Sequence, residues 1–542
     1  MDEHPWQRWG DPARRPTLPR RAERLLRSEL GLTGRSREPV ALGDVHLPES
    51  RLSDALRERF GRIVGPDRVR TGREARVRRA AGASYLDLVR LRTGALVDAP
   101  DAVLAPGSHE EVRELLELCA AERVAVVPFG GGTSVVGGVA PLREQFPTLV
   151  SLDLQRMDRL VEVDPESLTA TFQPGMTGPA AEEALAGHGL TLGHFPQSFE
   201  RATIGGYVAT RSAGQASTGY GRIDDLVEGL RVATPSGDLD LGRAPRSAAG
   251  PDLRALLVGS EGALGVITEV TLRVHRAPAT RRYEGWSLPT FTAGATAFRA
   301  LVQGGMAPDV ARLSDEEETR VTLAQVDGAK GTAVRGWLRL RGHASGSLVI
   351  VGFEGGDRLV SRRRRHASAV LRGHGGICLG QATGEAWRHG RFSGPYLRDE
   401  LLDRGALVET LETATSWSRL VDVYRTTAAA LHAGFAEQGT PGLVLCHISH
   451  LYPTGASLYF TVLAPAKRGG EVAQWQALKR RAGDAIAGAG ATITHHHAVG
   501  ADHLPWMRAE VGDVGLAALR AVKDRLDPVG ILNPGKLIPG DR

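Results

Sequence analysis

The run Val124–Val139, VAVVPFGGGTSVVGGV, constrains this chain more than any other stretch. Val124 to Val127 have the apolar, β-branched composition of a buried strand, and they empty into a loop dense with glycine. Gly130, Gly131 and Gly132 lack a Cβ, so the backbone can turn there with successive N–H groups aimed at one anion. Thr133 and Ser134 add hydroxyl donors at the same place. Such a loop suits a pyrophosphate, and the first reading is a nucleotide cofactor. A tight turn between strands is the alternative.

At 542 residues the chain is long enough for more than one domain with a core of its own. Its hydrophobic content of 42% and charged content of 24% are those of an ordinary soluble protein. A net charge of +5 is small for this length and argues against a nucleic-acid carrier. The one obvious basic run, Arg362 to Arg365, reads as a solvated helix face; binding of nucleic acid is its rival reading. Cys119, Cys378 and Cys446 are odd in number and far apart, so neither a disulfide framework nor a CxxC site is indicated, and a reducing compartment fits. The N-terminus MDEHPWQRWG has no apolar leader core, and no window approaches the length of a bilayer span. A cytoplasmic protein is the expectation.

Residues 1 to 95 are rich in Arg and Pro with weak apolar periodicity, and read as an extension with short helices. Ser108 followed by Glu111 predicts a capping box that opens an amphipathic helix to about Ala121, with Val112, Leu115, Leu116 and Cys119 on its buried face. Further strands are expected at Thr148–Leu154 and Ala170–Gln173. Pro179 early and Gly187 late predict a short helix between them. Val266 to Val274 alternates as a half-buried strand, with Glu269 and Arg273 on the polar side. In the tail, Leu516, Leu519, Val522 and Leu526 have helical spacing that stops at Asp527-Pro528.

Two more glycine-bearing stretches accompany the first. One is Pro196–Gly206, PQSFERATIGG; the other is Gly259–Gly265, GSEGALG, directly before the Val266 strand. Each alone could be a turn. Together they suggest an extended ligand gripped at several points, as a dinucleotide would be. None is a GxGxxG opening a βαβ unit, which disfavours a Rossmann domain.

These segments resemble the FAD flavoproteins related to vanillyl-alcohol oxidase and p-cresol methylhydroxylase. The resemblance rests on PFGGGTSV from Pro128, IGGYVATRSAG from Ile204, YGRIDDLV from Tyr220 and GSEGALGVITE from Gly259. YLRD from Tyr396, LYF from Leu458 and THHHAVG from Thr494 narrow it to the alkylglycerone-phosphate synthase family, over about Trp9 to Leu537. The implied fold is α+β: a two-subdomain FAD-binding domain of the p-cresol methylhydroxylase (PCMH) type plus an α+β cap, or substrate, domain. The corresponding division is an N-terminal extension at 1–95, the FAD-binding domain at 96–277, the cap at 278–500, and a C-terminal segment at 501–542 returning to the FAD domain.

The resemblance implies FAD contacts in four segments. The first is Pro128, Phe129, Gly130, Gly131, Gly132, Thr133 and Ser134; the second is Pro196, Gln197, Ser198, Phe199, Glu200, Arg201 and Ala202. The third is Ala209, Thr210, Arg211 and Ser212; the fourth is Ser260, Glu261, Gly262, Ala263, Leu264, Gly265 and Val266. Many relatives attach flavin covalently through a histidine. Thr133 stands at that position here, so the resemblance implies non-covalent FAD.

His495, His496 and His497 read three ways from the residues: metal ligands, solvated or core histidines, or acid/base groups. Adjacent histidines project differently, which disfavours all three on one metal, and no metal is expected. The resemblance places the triplet in the active site. Tyr459 alone would be a strand aromatic in SLYFTVL; the resemblance makes it the acid/base residue. Arg398 matches a substrate-binding arginine, suited to a phosphate oxygen pair, against an ion pair with Asp399 or Glu400. Arg312, in PDVARLSD, matches another arginine important for activity.

The activity implied is exchange of the acyl group of acyl-dihydroxyacetone phosphate for a long-chain alcohol, with no net oxidation. A base removes a proton from C1, the fatty acid leaves and the alcohol adds. The alternative is an FAD-linked oxidase or dehydrogenase of a 2-hydroxy acid. Expected partners are a small-molecule or lipid substrate and a second copy of the chain, without nucleic acid and with peripheral membrane contact left open.

Overall fold

The computed structural model describes residues 5–35, 38–325 and 328–540. The chain divides into two units. The glycine-loop unit comprises Pro39–Ala213, Arg222–Arg276 and the chain from His496 onward; the large-sheet unit comprises the residues up to Glu38, Gly214–Gly221 and Ala277–His495.

The glycine-loop unit holds two main sheets. The first runs Val69–Arg70, Ala102–Leu104, Thr148–Asp153, Val124–Phe129, and its last three strands are parallel. Val124 to Val127 are buried on both faces, as a parallel strand requires. Helix His109–Ala121 covers them with Val112, Leu115, Leu116 and Cys119. Ser108 Oγ accepts from Glu111 N at 3.2 Å, but the Glu111 carboxylate accepts from Gly107 N at 2.7 Å, so the expected capping box closes one residue early. The tail returns to this strand: Val126 N donates to Ile531 O and Asn533 N to Val126 O, both at 2.8 Å.

The second sheet is antiparallel, in the order Leu160–Asp164, Thr169–Phe172, Val266–Arg273, Val227–Thr234, Gly237–Leu241. Val270 and Leu272 are buried while Glu269, Thr271 and Arg273 are half-buried, as the alternation predicts. The short helix is Gly178–Ala186, with Pro179 in its first turn. The tail helix Met507–Leu526 breaks at Gly512, whose φ is 71°.

Residues 1–95 differ from the expected extension. Helix Asp54–Val64 buries Leu56, Phe60 and Val64 in the core beneath the first sheet. Arginines and glutamates surround that narrow stripe, which is why its periodicity looks weak in the sequence. Only the residues up to Glu38 go with the large-sheet unit, where Leu26 and Leu30 pack with Leu401, Val408 and Leu463.

The large-sheet unit is built on an eight-stranded sheet. Its order is Ile377–Gly380, Thr280–Leu288, Ser347–Gly355, Val310–Ser314, Leu443–Ile448, Gly455–Pro465, Ala406–Ser416, with Leu451–Tyr452 also pairing to Gly455–Pro465. Every neighbouring pair is antiparallel. The arginine run lies on helix Asp357–Gly373 and corrects the solvated-face reading in part. Arg363 donates to Asp309 at 2.9 and 3.0 Å and Arg364 pairs with Glu284, while Arg362 and Arg365 are exposed. Among the described residues no helix is long and apolar enough to cross a bilayer.

Candidate functional site

In the glycine-loop unit the glycine-bearing segments converge. Pro128 and Phe129 end their strand, and the loop after them lies against the turn that closes at Arg201 and Ala202. A Cβ on Gly131 would sit 2.0 Å from Arg201 O, and one on Gly262 would sit 2.8 Å from Pro128 Cγ. Only glycine permits both approaches. Thr203 caps helix Ile204–Ala209 by accepting from Gly206 N at 3.3 Å, and Ala209 O accepts from Glu261 N at 2.9 Å. Residues 128–134, 196–202, 209–212 and 260–266 thus form one cradle.

Its open polar groups are donors. Among the described residues the backbone N–H groups of Gly130, Gly131, Gly132, Thr133 and Ser134 donate to no carbonyl or side chain. The acceptors beside them are taken: Gly130 O receives Gln155 Nε2 at 2.9 Å and Ser134 O receives Ala83 N at 2.6 Å. Lys536 is 3% exposed, and its Nζ has no hydrogen-bond partner among the described residues. Burial presses its ammonium down to about 8. Burial also pushes the Glu261 carboxyl up to about 7, although it accepts from Val499 N at 2.9 Å and Gly500 N at 2.7 Å. His194 bonds Ser212 Oγ at 2.6 Å, and burial holds its imidazole down at about 3, hence neutral. Open amides and a buried cation fit the diphosphate of a dinucleotide.

In the large-sheet unit one row of residues crosses four neighbouring strands. Ser314 is paired with His447, His447 with Tyr459, and Tyr459 with Glu412. Residues directly opposite in a ladder share a face of the sheet, and Arg312, two before Ser314, shares it too. The rings of His447 and Tyr459 stack at 4.8 Å with 22° between their planes. Arg312 sets one guanidinium nitrogen 3.1 Å from each imidazole nitrogen of His447. Those two ring nitrogens point apart in the ring plane, so the guanidinium lies over the ring rather than at its edge.

Glu318 reaches back from helix Glu316–Ala324, whose cap Asp315 accepts from Glu318 N at 2.7 Å. Its Oε1 lies 2.6 Å from Arg312 Nη2 and 3.2 Å from His447 Nδ1. Burial opposes the Glu318 charge, but His447 and Arg312 outweigh it and hold the carboxyl at about 2. Burial raises the Tyr459 phenol, against the pull of a Thr410 hydrogen bond and the Arg398 charge. At the other end of the row Glu412 accepts from His495 N and from Thr494 Oγ1, each at 2.8 Å. His495 Nε2 is 2.7 Å from the Tyr452 hydroxyl, and the His450 ring lies 5.1 Å from the His495 ring.

The histidine triplet divides. His495 is buried in the large-sheet unit, while His496 and His497 fall in the glycine-loop unit, their rings edge-on at 4.9 Å. The acids beside Arg398 have other partners: Asp399 accepts from Trp9 N at 2.6 Å, and Glu400 pairs with Arg35 at 2.7 Å and Arg404 at 3.2 Å. His447, Glu318, Glu412 and Lys536 are not picked out by the sequence. CHISH runs onto the strand next to that of LYF in the sheet, but it lies far from Arg312 in the sequence and offers no local signal.

Residues 100–240 match the family described as FAD binding domain, and residues 277–537 match FAD linked oxidases, C-terminal domain. The chain is therefore a flavoprotein of the FAD-linked oxidase class, with FAD as its cofactor. Within that class it is 35% identical to the alkyldihydroxyacetonephosphate synthase of Trypanosoma brucei brucei, over 91% of this chain and 82% of that protein. It is 34% identical to the enzyme of the same description from Dictyostelium discoideum, over 95% and 87%. A solved alkyldihydroxyacetonephosphate synthase structure superposes with a TM-score of 0.85 at 30% identity, covering 98% of each chain. The chain belongs to the alkyldihydroxyacetonephosphate synthase family. FAD-linked oxidoreductases match at lower identity.

Proposed function

We propose that this protein exchanges the acyl group of acyl-dihydroxyacetone phosphate for a long-chain alcohol, forming an ether lipid. The observation that carries the reading is the row Arg312–His447–Tyr459–Glu412 on one sheet face, in a chain of this family. FAD is held non-covalently by the cradle 128–134, 196–202, 209–212 and 260–266, with Lys536 as the buried cation. Bound FAD supplies a ring that can take up and release the substrate carbon without net oxidation.

Tyr459 accepts the proton from C1 of the substrate. Its raised phenol makes it a reluctant acid, and the Arg398 charge favours the phenolate once it forms. Arg398 also offers the planar fork that pairs with phosphate oxygens. Stacking on His447 fixes the phenol ring, and Glu318 fixes His447 and Arg312 together. His495, tied to Tyr452, can pass a proton at Nε2. The amphiphilic substrate argues for peripheral membrane contact, and a homodimer in the cytoplasm completes the reading; among the described residues Cys119, Cys378 and Cys446 are free thiols, as a reducing compartment allows.

The test is direct. The purified protein is expected to be yellow and to move label from hexadecanol into an ether lipid when given palmitoyl-dihydroxyacetone phosphate. Tyr459→Phe should lower that rate by about 10² to 10⁴ with the flavin spectrum retained. Hydrogen peroxide release, or anaerobic flavin bleaching by glycolate or D-lactate without ether formation, overturns the transferase reading.

A further inference from the structure

From Gly328 to Phe353 the sequence holds no aspartate or glutamate, yet it carries Lys330, Arg335, Arg339 and Arg341. Helix Gly328–Leu340 lies in this stretch. Its inward side is slight: Leu338 is 5% exposed, and half-buried Arg335 donates to Leu323 O at 3.1 Å. At about 100° per residue, Ala333, Trp337 and Leu340 fall on the opposite side with Val334 at its border. Leu340 is 87% exposed, Val334 41% and Trp337 40%. The Arg341 guanidinium lies 5.6 Å over the Trp337 ring, and Arg339 is exposed on the other flank.

This is not how a solvated helix is made. Helix His109–Ala121 spends its outer face on pairs such as Arg113 with Glu117 at 2.9 Å. In helix Asp357–Gly373, Arg363 finds Asp309, just before strand Val310–Ser314, and Arg364 finds Glu284 on strand Thr280–Leu288. Here Arg339 and Arg341 have no acid within ion-pair reach among the described residues, and the space between them is apolar. The chemical complement is a surface that is anionic at its rim and apolar below. Trp suits the headgroup depth, Leu the acyl boundary beneath it, and arginines extend their heads to phosphates. A second copy is a poor complement, since a two-fold contact would set these arginines against each other.

We propose that helix Gly328–Leu340 docks this protein on an anionic lipid bilayer through Trp337, Leu340, Arg339 and Arg341. The proposal gives the peripheral membrane contact of the preceding section a place, and it rests on that reading. The full-length protein is sedimented with phosphatidylcholine vesicles, with and without about 30 mol% phosphatidylglycerol. Wild type should pellet with the anionic vesicles and be released by salt. Trp337→Ser with Leu340→Ser should weaken that binding at least tenfold, and Arg339→Gln with Arg341→Gln by about fivefold per arginine. Both double variants should keep full ether synthesis on detergent-dispersed substrate. Wild type that ignores anionic vesicles, variants that bind like wild type, or a homodimer abolished by the Trp337→Ser/Leu340→Ser pair each overturn the docking. Intact docking with no ether synthesis in detergent supports this inference and sinks the functional reading instead.

Discussion

In the glycine-loop unit the candidate donors are backbone N–H groups of consecutive residues, Gly130 to Ser134. In the large-sheet unit they are side chains spread from Arg312 to His495 and brought together by strand register. The first kind of site depends on what a residue lacks, a Cβ; the second depends on which residue stands opposite which. A backbone site should therefore fail abruptly when one methyl group is added. A side-chain site should fail in degrees, and a substitute of similar shape should restore part of it.

The largest effect follows from Gly131→Ala. The new methyl would press on a backbone carbonyl, Arg201 O, which cannot swing aside as a side chain could. FAD content should fall below about a tenth of wild type, a loss of roughly 1.4 kcal/mol or more in binding, with helical circular dichroism retained. A fully flavinated Gly131→Ala protein would break the contrast.

Next comes His447. His447→Ala removes both the stack on Tyr459 and the bond to Glu318. It should lower kcat by about 10 to 100 while FAD content stays normal. His447→Phe keeps a flat ring and should recover most of that loss. Equal damage from Ala and Phe would transfer the role from the stack to the Glu318 bond.

The last effect falls on stability, with cofactor content and rate at neutral pH left nearly unchanged. The folded Glu318 carboxyl is held at about 2, below its ordinary 4.5. A depressed carboxyl stabilises the fold above pH 4.5 and loses that contribution as pH falls toward 2, by up to ~3 kcal/mol. Melts at pH 6 and pH 3 should show a larger acid-induced drop for wild type than for Glu318→Gln. The same drop in both proteins would remove Glu318 from the network.

Much of the fold was legible because its signals are local. The Val124–Phe129 strand, the helix capped at Ser108 and the alternation through Val266–Arg273 each declare themselves within a dozen residues. Helix Asp54–Val64 was obscured because three buried positions amid arginines make a weak pattern. The arginine run was misread in part because Asp309 and Glu284, which Arg363 and Arg364 pair with, lie 54 and 80 residues away. Tyr459, Arg398 and Arg312 were reachable only through family resemblance. His447 and Glu318 carried no signal at all, since their roles exist only once four strands are in register.

By itself the sequence determined where the chain could turn tightly enough to bare consecutive N–H groups, because freedom from a Cβ belongs to glycine wherever it stands. Tertiary structure alone decided that Arg312 would lie over His447, that His447 would stack on Tyr459, and that the histidine triplet would be split between units. The physical reason is that strand register is set by the packing of a whole sheet, and a shift of one residue would send every member of that row to the opposite face.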